Sequence, residues 1–488
     1  MNIVDPILYQ CQRQPPAAAI CVPAPGIGLI SYRRLGQFIH NVSQRLNALG
    51  LAERSIVAVS IDDVIFHTVI LLALIRLGMI TVSLRKGESS LPFKADALIT
   101  DEKPPLAPAG RLMLADLSWT EGDGCPLEPV LLPQTHEDDL CRLILTSGTS
   151  STPKAVPLSH KLLANRIARH HTFGNRIANC SRIYSDVPVS SSLGFQFLIA
   201  ALSRGGTAFF PGENFASTLR VIEDYRIQCL VGSPGGFENL LRWFETVPSY
   251  QSSVEVIFCG GDVLSRSLSN RLRERICSHL VAAYGSTEAS MSAVAHAHEI
   301  VEVPRAVGFV TPGVIIQIVD SSDTLLPPGQ VGQVRIRSEF AVDGYFGSAE
   351  ESKKAFRAGW FYPGDLGTLS AEGLLVISGR EQAVLNLGGD KISPETIEVV
   401  LAQFPGIVEA AAVAMPNAYG NNEVCAALVG REKIDEQMLR EHCSARIPRP
   451  FAPEKYFFVD SLPRNEMGKL DRERLIGVMQ KLAAPAVR

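Results

Sequence analysis

Residues 143–160 read LILTSGTSSTPKAVPLSH, and seven of them are Ser or Thr. Successive backbone N–H groups in such a turn can converge on one anion, with hydroxyls as further donors and Lys154 as charge. The chemistry on offer is a phosphate cradle, although a plain surface loop has the same composition. A Walker-type P-loop is excluded, because Gly148 is followed by TSSTPKA, with Pro153 where the second Gly belongs. A second loop, YGSTEAS (284–290), sets an aromatic ring beside hydroxyls and one carboxylate, Glu288. A carboxylate next to phosphate-directed hydroxyls suits magnesium, which takes hard oxygen ligands and shares phosphate oxygens. The same string also serves as a strand-end turn. In GWFYPGDLG (359–367), Asp365 is placed to accept from a diol, or simply to close an Asx-type turn. Two more segments, SGREQAVLNLGGDKISPETIE (378–398) and LPRNEMGKLDR (462–472), carry Arg380 and Lys469. Taken alone, that lysine reads as solvated surface.

These residues need elements to hold them. From about residue 141, apolar β-type runs lead into Gly/Ser/Pro loops and then amphipathic stretches. Residues 143–145 lead to the Ser/Thr loop, with Ser159 as N-cap of a helix over 161–170. Residues 229–231 lead through GSPGG to a helix over 237–244. Residues 254–258 lead through CGGD to a helix over 264–276, and 280–283 lead to YGSTEAS. Strand, loop and helix in repetition predict an α/β protein with largely parallel sheets, whose ligands sit at the carboxyl ends of strands. After residue 335, hairpin-like strands (QVRIRS, GLLVISG) precede a compact block of helix, two strands, helix and strand over 394–459. The expected organisation is a large layered domain over 1–380 and a smaller α+β domain over 381–488.

Composition narrows the function classes. With 46 Lys and Arg against 50 Asp and Glu, the net charge of -4 gives no electrostatic case for nucleic acid or an anionic membrane. The ten cysteines are scattered, without CxxC or zinc spacing, and predict a reduced, cytoplasmic protein. The N-terminal stretch lacks a basic start and apolar run, so no signal peptide is expected. The most apolar segment, 64–84, is interrupted by His67 and Arg76 and reads as a buried helix followed by a strand rather than a membrane span. HAHE (296–299) would set two imidazoles on one strand face, without a third metal ligand.

In this order and spacing, the five chemical segments resemble the adenylate-forming superfamily of acyl-CoA synthetases, peptide-synthetase adenylation domains and luciferase-like enzymes. The likeness covers nearly the whole chain and is strongest over 140–472. It implies ATP-dependent activation of a small carboxylic acid to an acyl-adenylate, with magnesium, pyrophosphate release and transfer to a thiol of CoA or of phosphopantetheine on an acyl carrier protein. By that resemblance Thr146, Ser147, Gly148, Thr149 and Lys154 form the phosphate loop. Gly260, Gly261, Asp262, Tyr284 and Gly285 line the adenine pocket. Thr287 touches phosphate and Glu288 ligates magnesium. Asp365 and Arg380 hold the ribose, and Lys469 from a mobile C-terminal domain reaches the reacting centre. Gly388 and Gly389 line the thiol tunnel, while Ser191, Ser192, Ser233 and Ser286 line the acyl pocket. No F-D pair stands near PVSSSLGF, which favours an aryl or fatty acid over an α-amino acid.

Four positions depart from the family pattern: Ser151, Ser191, Gln382 and Asn386. They put the second half-reaction in more question than the first. The alternative from another class is a degenerate relative that binds nucleotide or acyl ligand as a regulatory protein.

Overall fold

The helix Val64–Arg76 is apolar on every side and buried from Ile65 to Ile75, as a helix held between layers must be. The computed structural model describes residues 1–23, 28–84, 91–102, 109–122, 134–146, 153–171, 175–212, 215–244, 252–381, 385–387, 390–416, 422–431, 434–465 and 468–483. Asp63 caps the apolar helix by accepting from the Phe66 amide at 2.7 Å. The chain then enters the strand Ile80–Ser83. This helix–strand unit is the one the sequence predicts, and no described helix is long and apolar enough to cross a membrane.

Ile80–Ser83 belongs to a six-stranded sheet, parallel except for its last member, Lys154–Ser159, which runs antiparallel to Leu140–Thr146. That last strand corrects the sequence expectation of a loop running straight into a helix. The chain instead folds back as a hairpin, with Thr146 paired to Lys154. Ala155, Val156 and Leu158 are buried, but two prolines and a run of hydroxyls hide so short a strand. Ser159 does cap the following helix, accepting from the Leu162 amide at 3.2 Å, but the helix ends at Ala168.

Among the described residues the second sheet has fifteen strands. Its parallel part includes Arg182–Ser185, Cys229–Gly232, Val256–Gly260 and Leu280–Ser286, joined by helices such as Pro234–Phe244 and Arg266–Arg275. From Leu280–Ser286 onward the pairing turns antiparallel, through Ser290–His296, Ala306–Val310 and Leu374–Arg380 to Asp365–Leu369. A largely parallel architecture therefore holds for only part of this sheet. Some of these pairs are joined by short turns, as at 287–289 and 370–373, and an antiparallel pair needs no crossover helix.

A third sheet, Ile407–Pro416, Asn422–Gly430 and Lys455–Phe458, builds the small α+β part. Alternate residues face opposite sides. Ala412, Val424 and Leu428 pack with the helices Pro394–Ala402 and Glu436–Ser444, while Ala411, Val413 and Ala427 pack with Leu475 and Met479 of Arg472–Ala483. That last helix does not stand out in the sequence pattern.

Candidate active site

The strand-end loops of the two larger sheets and one loop of the small part meet in a single cleft. Leu280–Ser286 and Ser290–His296 leave Thr287, Glu288 and Ala289 to close their hairpin. Gly285 lies so close to the returning strand that an added Cβ would fall 2.2 Å from the Ser290 carbonyl oxygen. Ser286 steadies the turn by accepting from the Ala289 amide at 3.1 Å.

This turn is clamped from behind by a residue the sequence does not single out. Arg166 is fully buried in the helix His160–Ala168 and donates to the carbonyls of Thr287, Glu288 and Phe340, each at 2.9 Å. Burial pushes its guanidinium down to about 9, opposed by the nearby Glu288 charge. A buried arginine answered by several carbonyls is a rigid positioning device. A helical arginine carries no sequence signal that distinguishes it from a surface one.

Glu288 is itself buried, and its Oε1 accepts from the Tyr345 hydroxyl at 2.9 Å. The Tyr345 ring lies under the Lys154 ammonium, 5.0 Å from its centroid, and Lys154 pairs with Glu351 at 2.9 Å. Hydrogen bonds from Lys354 and Lys154 hold the Glu351 carboxyl down at about 2. Tyr345 and Glu351 thus join the cleft although no sequence pattern flags them. Thr146 ends its strand with its hydroxyl 3.4 Å from the Lys154 carbonyl oxygen. Ser147, Gly148, Thr149 and Ser151 lie outside the described residues.

Asp365 opens its strand directly opposite Arg380. Arg380 Nε meets Asp365 Oδ1 at 2.7 Å, and the Tyr284 hydroxyl donates to Oδ2 at 2.5 Å. Burial raises the Asp365 pKa, while Arg380, the Tyr284 hydroxyl and Lys469 draw it back down. Tyr284 therefore reaches the Asp365 carboxylate as well as offering a ring face. Gly261 adopts φ 96°, a conformation glycine allows, and Asp262 accepts from the Val263 amide at 2.8 Å. Gly260 precedes it at the end of Val256–Gly260.

Lys469 enters from the small part. Solvent reaches its side chain, yet burial and the neighbouring Arg380 lower the pKa of its ammonium. Asp262, Asp365 and Glu288 oppose that shift, so all three carboxylates lie within electrostatic reach of this one cation. The loop bearing it is anchored: Arg464 donates to the Gly468 carbonyl at 3.0 Å and pairs with Glu409 at 2.6 Å. Gly468, at φ 72°, packs against the large part, where an added Cβ would fall 2.1 Å from Ser233 Oγ.

Of the four serines expected at an acyl pocket, Ser191 and Ser192 are buried and turned to local bonds. Ser191 caps the helix Ser192–Ser203 through the Gly194 amide, and Ser192 accepts from Gln196 at 2.9 Å. Ser233 instead lines a cavity of about 600 Å³, shared with Asp186, Pro188, Gly236, Arg464 and Gly468. Gly388, Gly389 and Gln382 lie outside the described residues, as does the Asn386 side chain. The two-imidazole strand face is corrected. The strand ends at His296, the chain turns into Ala297–Ile300, and the two rings stack 5.7 Å apart. Among the described residues no group of three or more His, Cys, Asp or Glu could hold a metal.

Comparison with known proteins agrees with this geometry. Residues 8–346 match the model for AMP-binding enzyme, and residues 396–469 match AMP-binding enzyme C-terminal domain. A 4-chlorobenzoate–CoA ligase from Arthrobacter sp is 25% identical over 501 residues, covering 96% of this chain and 94% of the relative. A medium-chain fatty-acid–CoA ligase from Escherichia coli (strain K12) is 29% identical over 358 residues, covering 69% of this chain and 61% of the relative. The anthranilate CoA ligase AuaEII, solved with anthranoyl-AMP, shares the fold with a TM-score of 0.82, 21% identity and coverage of 99% and 98%. The amide bond synthetase McbA from Marinactinospora thermotolerans shares it at 0.77, with 24% identity and coverage of 97% and 99%. A cleft of strand-end hydroxyls, one buried glutamate, an aspartate–arginine pair and an inserted lysine, on a chain matched along most of its length, places the protein in the AMP-binding enzyme family of the adenylate-forming superfamily.

Proposed function

We propose that the protein joins a carboxylic acid to the α-phosphate of ATP, releases pyrophosphate, and passes the acyl group to the thiol of CoA or carrier-bound phosphopantetheine. The observation that carries this reading is the placement of Lys469 within reach of Asp262, Asp365 and Glu288 at one cleft. The substrate carboxylate is already a nucleophile, so the first step needs no general base. It needs positive charge where two anions meet, and Lys469 supplies it. Asp365 and Arg380 take the ribose hydroxyls, with Tyr284 beside them and the 260–262 turn along the base. Thr146 and Lys154, with Ser147, Gly148 and Thr149, hold the outer phosphates, and Thr287 the inner one.

Glu288 would hold magnesium, with nucleotide phosphate oxygens as the other ligands, a mixed ligation that this ion accepts. When bound, the ion withdraws charge from the phosphates. Arg166 and Tyr345 fix where the Glu288 oxygens point.

We further assign residues 1–380 to the nucleotide and acyl pocket and 381–488 to a body that rotates after adenylation, taking Lys469 away and bringing Gly388 and Gly389 to the thiol. The relatives named above act on aryl and medium-chain fatty acids, which supports an acid of that kind, held against Ser233, with Ser191, Ser192 and Ser286 shaping the pocket wall through their local bonds. The reaction belongs in the cytoplasm, where ATP and CoA are supplied. No observation favours a binding-only relative.

Pyrophosphate release with ATP and magnesium, run over aryl, fatty and amino acids with and without CoA, tests the proposal. Acid-dependent release lost in Lys469→Ala is expected. ATP binding without release for any acid would overturn it.

A further inference from the structure

The motif GSPGG (232–236) and one carboxylate form a device that the adenylation step does not use. Asp186 follows the strand Arg182–Ser185, and its amide donates to the Val231 carbonyl of the adjacent strand at 3.1 Å. Its carboxylate lies between two glycines. An added Cβ on Gly236 would fall 1.7 Å from Asp186 Oδ2, and one on Gly232 would fall 2.7 Å from Oδ1. Those positions must stay glycine for the carboxylate to fit. Oδ1 is buried with no hydrogen-bond partner. A buried carboxylate left short of partners is costly, and such a group in a native fold calls for an explanation.

Its surroundings supply one. Asp186 lines the cavity of about 600 Å³ together with Ser233 and Gly468, and Gly468 immediately precedes Lys469. The strand Cys229–Gly232 pairs with Arg182–Ser185 on one side and with Val256–Gly260 on the other, so a single strand separates the end that carries Asp186 from the 260–262 turn of the nucleotide cleft. The cavity therefore adjoins the place where an acyl-adenylate would form.

We propose that Asp186 is the general base of the second half-reaction, taking the proton of the nucleophile that enters along the large-part wall of this cavity, Asp186, Ser233 and Gly236, once the small part with Arg464 and Gly468 has turned away. The inference rests on the acyl-transfer reading above. The acceptor sulfur bonds to the acyl carbon as its S–H bond breaks. The S–H proton passes to the Asp186 carboxylate and then to solvent. The acyl C–O bond to AMP breaks, and AMP leaves with its electron pair. No oxidant or further reactant is needed. The environment suits a proton acceptor. Burial pushes the Asp186 carboxyl up to about 7, with the nearby Asp186 and Ser233 backbone drawing it only partly back, and a base poised near the working pH transfers protons best. The titratable or charged groups facing it are Tyr184 on its own strand, Cys259 two strands over and, before the small part turns away, Arg464 across the cavity.

The test separates the half-reactions in full-length Asp186→Asn. The pyrophosphate burst without acceptor is the internal control and is expected to stay within about twofold of wild type, because adenylation needs no base. Acyl transfer to CoA or to free pantetheine is expected to fall about 10²-fold, the usual worth of a positioned base. The acidic limb of the wild-type transfer profile should vanish, and an aryl thiol already ionised at neutral pH should restore the rate. CoA and pantetheine together tell whether the nucleotide end of the acceptor matters. Loss of transfer to an amine alone would support the base and move the acceptor from thiol to amine. Gly236→Ala, which displaces the carboxylate, gives the same pattern should the Asn variant fold poorly. Unchanged transfer in Asp186→Asn, or equal loss in both half-reactions, would overturn the proposal. A wild-type protein that releases no pyrophosphate would instead defeat the acyl-transfer reading itself.

Discussion

The Tyr284 hydroxyl donates to Asp365 Oδ2 at 2.5 Å, while Arg380 occupies the other oxygen at 2.7 Å. A carboxylate held from both sides presents its remaining lone pairs in fixed directions, which is what recognition of a vicinal diol requires. Tyr284→Phe keeps the ring and removes one donor. Hydrogen bonds to charged groups contribute about 1.5–3 kcal/mol, so the KM for ATP is expected to rise about tenfold or more. Asp365→Ala should cost more, and deoxy-ATP analogues lacking a ribose hydroxyl should lose their disadvantage in that variant.

Lys469→Ala removes a cation within electrostatic reach of Asp262, Asp365 and Glu288. Adenylation is expected to fall about 10²–10³-fold with little change in the thermal midpoint. Burial and Arg380 hold the Lys469 pKa below its ordinary value, so the ammonium loses its proton earlier as pH rises. The alkaline limb of adenylation should therefore set in below the range of a free lysine, and Lys469→Arg should shift that limb upward even if the rate is poor.

Arg166 acts on the site through backbone. Its loss leaves the Phe340 and Thr287 carbonyls without that donor, while the Glu288 carbonyl keeps the Val342 amide, and each unsatisfied buried group costs about 1–3 kcal/mol. Arg166→Met should lower the melting temperature and adenylation together, whereas Lys469→Ala lowers adenylation alone. Thermal scans beside pyrophosphate assays distinguish the two.

His67 gives a pH prediction for the fold. The Ile61 carbonyl can only accept, so Nδ1 carries the ring proton and donates to it, and the neutral Nε2 accepts from Ser83 Oγ at 2.8 Å. Burial first, and Arg142 second, push the His67 pKa down to about 4 from 6.5. Between those values the unfolded chain binds the proton and the folded chain refuses it, so stability falls as pH drops through that window. At 1.36 kcal/mol per unit the effect approaches ~3 kcal/mol by pH 4. His67→Asn should flatten the acid side of a stability–pH curve; an unchanged slope would show that other groups set it.

Docking of the small part depends on glycine at its contact. A Cβ on Gly235 would meet the Gly468 carbonyl oxygen at 2.7 Å and Arg464 Cδ at 2.8 Å. Gly235→Val is expected to disfavour the arrangement that delivers Lys469 and to slow adenylation. Transfer from a preformed acyl-adenylate should suffer less, as single-turnover measurement would show.

The types and order of the chemical residues were legible in the chain. Loops rich in Gly, Ser and Thr at strand ends, one glutamate after a threonine, an aspartate in a glycine turn and a late lysine are local patterns, and local patterns survive in one dimension. The helix–strand unit at 64–84 and most elements of the small part were legible for the same reason, since burial imposes a period on a contiguous segment. The antiparallel return at Lys154–Ser159 was not, because a strand of six residues with a proline lacks a clear period. The turn into a helix after His296 was hidden in the same way. Arg166, Tyr345, Glu351 and Asp186 became site residues only in three dimensions, each through partners far away in sequence. Arg166 lies over 120 residues from Thr287 and Glu288, and the glycines that admit Asp186 stand more than 40 residues beyond it. Sequence sets which groups are available and in what order; packing decides which carbonyl an arginine finds, which carboxylate is stripped of water, and so which charge the chemistry can use.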